Sequence, residues 1–304
     1  MIKAGKEGSI RRQFLAPAKV NLALRIVGRR ADGYHLLWTV MAFFPLYDRL
    51  TITTPTADLR LFCDPPVTAR PEQNLVWRAA RRLQEEGNLR HGAHLHLTKQ
   101  IPHGAGLGGG SSDAATTLLA LNRLWELNLS RSRLLQIGLE LGADLPIFLG
   151  GEAALAEGVG ERLTPLPDLA AAELLLVNPG VILPTGQVFQ AWHAAGEPDR
   201  AIASPPALPP AYPNSVLPLL VNDLEATATR MAPVIGLAAR ALQQQGAQAT
   251  LMSGSGSSLF GVFASPSAAE QAARQLQHIH PEWVMHTGRT FNRHPFANDW
   301  ESGI

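Results

Sequence analysis

This chain of 304 residues has one cysteine, Cys63, and no long hydrophobic run. A single cysteine cannot form an intrachain disulfide and is typical of a reducing compartment, so we expect a cytoplasmic protein. No run of about 18 apolar residues is present, which argues against a transmembrane helix. The net charge is only +1, and the arginine pairs are isolated. The charge pattern therefore indicates neither a nucleic-acid nor a membrane partner.

The length and the pattern of elements predict two domains, each able to bury its own core. Strand and helix patterns alternate through the first half, and a second unit begins after Pro165 and Pro167. Its alternation of strands and helices is typical of an α+β sandwich. We predict an α+β fold with domains at residues 1–165 and 166–304. The predicted helices lie near 74–86, 114–125, 130–141, 231–245 and 266–279, and the predicted strands near 12–17, 20–27, 38–44, 48–54, 58–63, 248–252, 259–263 and 282–288.

The most informative segment is the glycine-dense loop between Lys99 and Ala115. Glycine lets a backbone approach a ligand closely, and this loop has it at five positions: Gly104, Gly106, Gly108, Gly109 and Gly110. Alternating residues at 94–98 predict a strand before the loop. Helical spacing from Ala114 onward predicts a helix after it, with Ser111 and Ser112 as N-cap candidates. A helix N-terminus behind a glycine loop is a phosphate-binding arrangement.

Other phosphate loops fit this segment poorly. A Walker A loop needs lysine where Gly110 stands. A dinucleotide-binding fingerprint needs an acidic residue about 20 residues on, after a strand, whereas Glu126 belongs to the predicted helix. A flexible linker is the remaining alternative, but linkers are not flanked by a strand and an amphipathic helix. A different kind of nucleotide loop is therefore indicated.

Pro102 to Ala115 resembles the ATP-phosphate loop of the galactokinase, homoserine kinase, mevalonate kinase and phosphomevalonate kinase (GHMP) superfamily. Two further segments agree in order along the chain: Pro17–Leu22 with Gly28–His35 is similar to the first motif, and Met252–Ser258 to the third. Residues 105–115 form a variant of this loop, which is similar to the loop in the branch of the superfamily that phosphorylates the 2-hydroxyl of a cytidine-diphosphate-linked methylerythritol.

That resemblance implies a two-domain GHMP-kinase-like fold with the active site in the cleft between the domains. It implies ATP as phosphoryl donor, with Mg²⁺, and a small-molecule acceptor. The serines can add hydroxyl contacts to phosphate or to a metal-bound water, although helix capping alone is an alternative. The predicted ATP-binding residues are Pro102, Gly104, Gly106, Leu107, Gly108, Gly109, Gly110, Ser111 and Ser112.

Two charged residues are candidates for the chemistry. Asp144 lies in a mainly apolar segment before Pro146, which we expect to hold the chain extended. An unpaired buried charge is costly, so Asp144 should have a partner. Lys19, out of pattern in an apolar strand, is that candidate, and it would keep the carboxylate ionised. The resemblance implies that Asp144 is the catalytic base. The alternatives are that Asp144 caps the next turn and that Lys19 reaches solvent at a sheet edge.

Substrate contacts are predicted at five residues. Asn21 shares a strand face with Lys19 and suits substrate or phosphate. Tyr34 and His35 follow an Asp-Gly turn, where a ring suits base stacking. The resemblance implies cytosine there, with Phe189 on its other face, although the sequence alone favours core packing for Phe189. Thr185 is a further candidate for this pocket.

The sequence assigns no protein ligand to Mg²⁺. Two other functions stay open: another GHMP kinase, of the homoserine or mevalonate type, and a non-catalytic nucleotide-binding protein on the same scaffold. The presence of both Lys19 and Asp144 argues against the second, because binding alone needs no base.

Overall fold

The computed structural model describes residues 9–196, 207–209, 212 and 214–296. Its strands are β1 (Ile10–Arg29), β2 (His35–Thr56), β3 (Arg60–Asp64), β4 (Gly92–Thr98), β5 (Ala154–Gly158), β6 (Arg162–Pro165), β7 (Glu173–Asn178), β8 (Val221–Asn222), β9 (Ala249–Met252), β10 (Leu259–Phe263) and β11 (Val284–Arg289). Its α-helices are α1 (Leu75–Glu86), α2 (Gly109–Leu124), α3 (Arg131–Leu141), α4 (Leu145–Gly150), α5 (Thr185–Ala194), α6 (Glu225–Met231), α7 (Val234–Gln244) and α8 (Pro266–Ile279). The predicted α+β class is confirmed.

Two sheets organise the fold. The first has the strand order β3-β4-β2-β1-β8, and β5 pairs with β2 and β6. The second has the order β11-β7-β10-β9. One hydrophobic core lies between the first sheet and α1–α4, another joins the two sheets, and a third lies between the second sheet and α5–α8. The first sheet is thus buried on both faces where it carries the site.

The two longest strands were each predicted as two. Residues 12–17 and 20–27 form the single strand β1, which pairs antiparallel with β2 along its whole length. The register shifts between Pro17 and Ala18, and again between Asn21 and Ala23. Proline has no N–H for the ladder, and a bulge adds local twist, so the strand bends without ending. Lys19 and Asn21 lie between these two irregularities.

Several helix predictions are confirmed. Asn74 caps α1 through its side chain, which accepts the Val76 N–H at 2.9 Å, and Gly87 ends the helix. Ser130 and Gly142 bound α3, and α8 spans 266–279 as predicted. These segments combine an apolar stripe with a side-chain cap or a terminal glycine, so local sequence is enough to define them.

Three local predictions are wrong. The helix α2 begins at Gly109, behind a left-handed Gly108, so Ser111 and Ser112 lie inside its first turn and are not its caps. Pro146 does not hold the chain extended but lies in the first turn of α4, where proline needs no N–H partner. For the helix predicted near 231–245 only the start is wrong: this helix is α7, which begins at Val234 after the N-cap Pro233, and Met231 ends the separate helix α6, which was not predicted.

The division at residues 165 and 166 stays a prediction. Strand β8 lies beyond that boundary yet pairs in parallel with β1, and Phe291 forms an isolated bridge with Phe43 of β2. The two parts of the chain are therefore joined by backbone pairing as well as by the shared core. In the described residues, every helix falls short of the length and apolar content that crossing a bilayer requires.

Candidate active site

A cavity of about 260 Å³ lies at the glycine loop and receives residues from both halves of the chain. Residues 185, 189, 254 and 255 line it from the second half. The sequence-predicted residues that line it are Lys19, Asn21, Pro102, Gly104, Gly106, Leu107, Gly108, Gly109, Gly110, Ser111, Asp144, Thr185 and Phe189. Ser112, Tyr34 and His35 are not among its lining residues. Most of the predicted site thus converges on one place.

Lys19 is almost completely buried at the base of this cavity, so it does not reach solvent at a sheet edge. Its ammonium donates to Asn21 Oδ1 at 2.6 Å and to the Gly106 carbonyl at 3.0 Å. Asn21 in turn donates to Thr39 Oγ1 at 2.8 Å. Burial lowers the pKa of the Lys19 ammonium, and the neighbouring Asp144 carboxylate opposes that shift. These contacts hold the charged end of Lys19 in a fixed position.

Asp144 lies beside Lys19, the partner that was predicted for it. Its Oδ2 lies 3.8 Å from Lys19 Nζ, and its side chain is 49% exposed. It occupies the N-cap position of α4 but makes no capping hydrogen bond. The alternative that the Asp144 side chain caps the next turn is therefore wrong. A carboxylate that is open on one side and next to an ammonium on the other can accept a proton from a ligand in the cavity.

The glycine loop packs directly against the turn that follows β9. A side chain at Gly106 would place Cβ 2.0 Å from the Ser253 carbonyl oxygen, and the residue has φ +77°. Ser253 Oγ donates to the Gly106 carbonyl at 2.9 Å and accepts the Asn21 N–H at 3.1 Å. Only glycine fits this approach, so the loop, β1 and the third motif meet around Ser253.

The N-terminus of α2 faces the cavity through Gly109, Gly110 and Ser111. The first N–H groups of a helix lack intrahelical partners and carry the positive end of its dipole. Ser111 is in position to add its hydroxyl. Ser112 is fully buried, and its contact with phosphate stays a prediction that the geometry does not favour.

Of the predicted base-binding residues, Phe189 lines the cavity, His35 stacks on Phe189, and Tyr34 lies on the surface. The His35 and Phe189 rings stack with centroids 4.9 Å apart, and Phe189 also lines the cavity. Tyr34 is 64% exposed, and the Arg30 guanidinium lies 5.7 Å from its ring centroid. Asp32 pairs with Arg30 and accepts the Tyr34 N–H at 3.3 Å. The two predicted alternatives for Phe189, core packing and a place in the site, are both found, because Phe189 packs against the third core and also lines the cavity.

Sequence reasoning missed part of the lining. Thr39 and Met41 of β2, Leu75 of α1, and Gly254 and Ser255 of the third motif all contribute to it. Thr185 Oγ1 lies 2.9 Å from Ser255 Oγ, so the third motif also orients a predicted residue. The third motif was visible as a resemblance, but Thr39 and Met41 look like ordinary strand residues and carried no signal.

The donor set suits a magnesium ion that arrives with nucleotide phosphates. No group of three or more histidine, cysteine or acidic side chains within the described ranges could hold a metal by itself. Mg²⁺ often keeps several waters and is bound through one or two carboxylates together with substrate phosphates. Asp144 is the acidic side chain that lines the cavity, and it would be the protein group that holds such an ion.

Two family models match the chain. The model described as the GHMP kinases N terminal domain matches residues 74–152, and the one described as GHMP kinases C terminal matches residues 215–281. The fold, the glycine loop and the paired Lys19 and Asp144 together define a GHMP kinase. Sequence comparison then narrows the assignment, because relatives in one branch are 41–43% identical to this chain over 91–93% of its length. The chain belongs to the family of 4-diphosphocytidyl-2-C-methyl-D-erythritol kinases.

Curated relatives with that name carry the assignment. The one from Chelativorans sp. (strain BNC1) is 41% identical over 288 residues, which cover 91% of this chain and 96% of the relative. The one from Methylibium petroleiphilum is 43% identical over 285 residues, which cover 93% and 95% of the two chains.

Solved structures support the same family assignment. A crystal structure of 4-(cytidine 5'-diphospho)-2C-methyl-D-erythritol kinase is similar with a TM-score of 0.78 and 37% identity, and the match covers 92% of this chain and 99% of that one. A homoserine kinase from Cytophaga hutchinsonii is similar with a TM-score of 0.66 and 17% identity, covering 97% and 98%. That second likeness shows the fold alone.

Proposed function

We propose that this protein transfers the γ-phosphoryl group of ATP to the 2-hydroxyl of 4-diphosphocytidyl-2-C-methyl-D-erythritol, in the non-mevalonate route to isoprenoid precursors. The observation that carries the proposal is the ion pair of Lys19 and Asp144, which faces the glycine loop across one cavity. Membership of the family supports the choice of substrate. A cytoplasmic location stays a prediction from the lone cysteine.

Phosphoryl transfer depends on holding the phosphates, neutralising their charge and placing the attacking hydroxyl near a base. The N–H groups at the start of α2 and the glycine loop would bind the phosphates. Asp144 Oδ2 would accept the proton from the substrate hydroxyl. The Lys19 ammonium, fixed by Asn21 and Gly106, would keep that carboxylate ionised and orient the same hydroxyl. Mg²⁺, if held by Asp144, would supply further positive charge at the phosphates.

Recognition of the cytidine end would involve the aromatic residues beside the cavity. Phe189 offers one ring face at the cavity wall. Tyr34 is exposed and directly precedes His35 in the chain. Stacking fixes the plane of a base, and hydrogen bonds to its edge distinguish cytosine from uracil. We assign the edge contacts to His35 and the stacking to Tyr34 and Phe189.

A coupled ADP-release assay tests the proposed function. The acceptors are the cytidylated methylerythritol, methylerythritol 4-phosphate without the nucleotide, homoserine and mevalonate. We expect turnover only with the first. Turnover with homoserine or mevalonate in its place would assign the protein to another GHMP activity. ATP binding without turnover of any of the four would support the non-catalytic alternative.

Replacing Tyr34 should weaken the cytidylated substrate selectively. Base–aromatic stacking contributes about 1–3 kcal/mol per base, and 1.4 kcal/mol is about tenfold in affinity. Tyr34→Ala should therefore raise the Kd of CDP about 5- to 150-fold, measured by calorimetry, while the Kd of ATP is unchanged.

Phe62→Ala is the matched control, since Phe62 is 62% exposed and lies in β3, away from the cavity. It should leave the Kd of both nucleotides unchanged. Normal CDP binding by Tyr34→Ala, or equal affinity of the parent protein for CDP and UDP, would contradict the assigned cytosine site.

A further inference from the structure

A buried ion cluster of Asp48, Lys99 and Asp113 lies beneath the glycine loop, and we call it the loop triad. Lys99 Nζ donates to Asp48 Oδ2, and to Asp113 Oδ2 at 2.7 Å. All three side chains are almost completely excluded from solvent. Buried charges are costly unless they are paired, so a cluster of this kind is expected to have a defined purpose.

The triad connects both ends of the loop to a single strand. Asp48 lies near the middle of β2, and its Oδ1 accepts the backbone N–H groups of Gln100 and of Ile101, the latter at 2.9 Å. Lys99 directly follows β4, where the loop begins. Asp113 lies in α2, just past the first turn, where the loop ends. One carboxylate of β2 thus restrains the start of the loop directly and its end through Lys99.

The triad also lies close to the phosphate-binding end of α2. A Cβ atom added to Gly109 would lie 3.2 Å from Lys99 Nζ. Lys99 itself lines the cavity, whereas Asp48 and Asp113 do not. Any effect of Asp48 or Asp113 on a ligand in the cavity must therefore act through the loop and Lys99.

We propose that Asp48 and Lys99 are positioning residues, which hold the glycine loop and the N-terminus of α2 in the conformation that binds nucleotide phosphates. This inference rests on the proposed function, because it takes ATP as the ligand of the loop. It adds Asp48 to the determinants of ATP affinity, although Asp48 would not touch ATP.

The two carboxylates differ in how replaceable they are. Both carboxylate oxygens of Asp48 accept hydrogen bonds: Oδ1 from the N–H groups of Gln100 and Ile101, and Oδ2 from the Lys99 ammonium. An asparagine at this position would place its NH₂ group, itself a donor, opposite one of these donors in either orientation of the amide. Asp113 accepts through Oδ2 only, and its buried Oδ1 has no hydrogen-bond partner among the described residues. An asparagine at position 113 keeps the contact with Lys99 and turns its NH₂ group toward that open side.

The net charge of the loop triad also indicates that Asp113 is easier to replace than Asp48. Two carboxylates and one ammonium carry an excess negative charge unless one carboxyl holds a proton. Burial raises the pKa of Asp113 well above that of an ordinary carboxyl, although Lys99 acts in the opposite direction. An Asp113 carboxyl that holds a proton is close in shape and polarity to an asparagine side chain.

The experiment compares Asp48→Asn with Asp113→Asn in the full chain. The Kd of a non-hydrolysable ATP analogue, adenylyl imidodiphosphate, and the Kd of CDP are measured by calorimetry. We expect Asp48→Asn to raise the Kd of the ATP analogue at least tenfold and that of CDP less than twofold. Asp113→Asn should change both less than threefold. Should Asp48→Asn fail to fold, Asp48→Glu keeps the charge but displaces the loop, and it should also raise the Kd at least tenfold.

Glu86→Gln is the matched control, because Glu86 forms another ion cluster, with Arg82 and Arg133, between α1 and α3. It should lower the Tm without changing either Kd. The inference is overturned by an unchanged Kd of the ATP analogue in the folded Asp48 variant, by an equal rise of both Kd values, or by the same rise in Glu86→Gln or Asp113→Asn. Absence of ATP binding by the parent protein would instead reject the proposed function, and this inference with it.

Discussion

Replacing Asp144 with asparagine should lower kcat about 10²- to 10⁴-fold, the usual cost of removing a general base. Asparagine keeps the size of the side chain but cannot take the proton from the acceptor hydroxyl. The Tm should hardly move, because Asp144 is half exposed and such ion pairs contribute little to stability. The Kd of ATP measured without Mg²⁺ should stay within a few-fold of normal, since the loop and α2 are untouched. Steady-state ADP release, calorimetry and thermal unfolding together test this result.

Asp168→Asn is the appropriate control for Asp144→Asn. Asp168 is exposed in the turn after β6 and lies outside the cavity lining. It undergoes the same chemical change and should keep full activity. Near-normal kcat in Asp144→Asn would remove Asp144 from the mechanism and leave Lys19 without its proposed purpose. A large fall in Tm would instead give Asp144 a structural role.

Replacing Gly108 with valine should abolish measurable ATP binding. Gly108 has φ +69°, a conformation that a β-branched residue strongly disfavours. A Cβ there would also lie 3.0 Å from both Lys19 Cγ and Phe148 Cζ. The added methyl groups would crowd these side chains further, so the loop, Lys19 or α4 must shift. Each of these shifts disturbs the start of α2, where the phosphates are proposed to bind. Calorimetry with adenylyl imidodiphosphate measures the effect.

Gly246→Val separates backbone strain from loss of the site. Gly246 follows α7, has φ +87°, and a Cβ there would meet no atom within 4 Å. Its variant should lose stability through strain alone and keep its ATP affinity. Normal ATP affinity in a folded Gly108→Val protein would show that the loop is not the phosphate site. Equal loss of binding in both variants would show that strain anywhere weakens the protein.

The local elements that sequence predicted well carry their own start and stop signals. Asn74 and Gly87 bound α1, and Ser130 and Gly142 bound α3, with an apolar stripe between the ends. The start of α2 lacked such a signal. A glycine-rich stretch has little intrinsic helix preference, so residue type did not indicate that the helix begins at Gly109, which packs closely against Ile101 and Lys99.

The candidate site was partly readable because its residues break the local pattern. Lys19 is out of pattern in an apolar strand, Asp144 in an apolar segment was expected to have a partner, and the structure brings the two to 3.8 Å from each other. Ser112 followed a motif but is buried away from the cavity, because helical periodicity turns it inward beside Ser111. The assigned roles of all these residues stay predictions until the variants are measured.

By itself the sequence determined the α+β class, the glycine loop between a strand and a helix, and the family that its three motifs resemble. Those properties depend on residue type and spacing over short stretches. Only the tertiary structure decided that Asp48 holds Lys99 and both ends of the loop, that Ser253 joins the loop to β1, and that His35 stacks on Phe189. These contacts join residues between 51 and 232 positions apart in the chain, and their formation depends on how the two sheets and their helices pack.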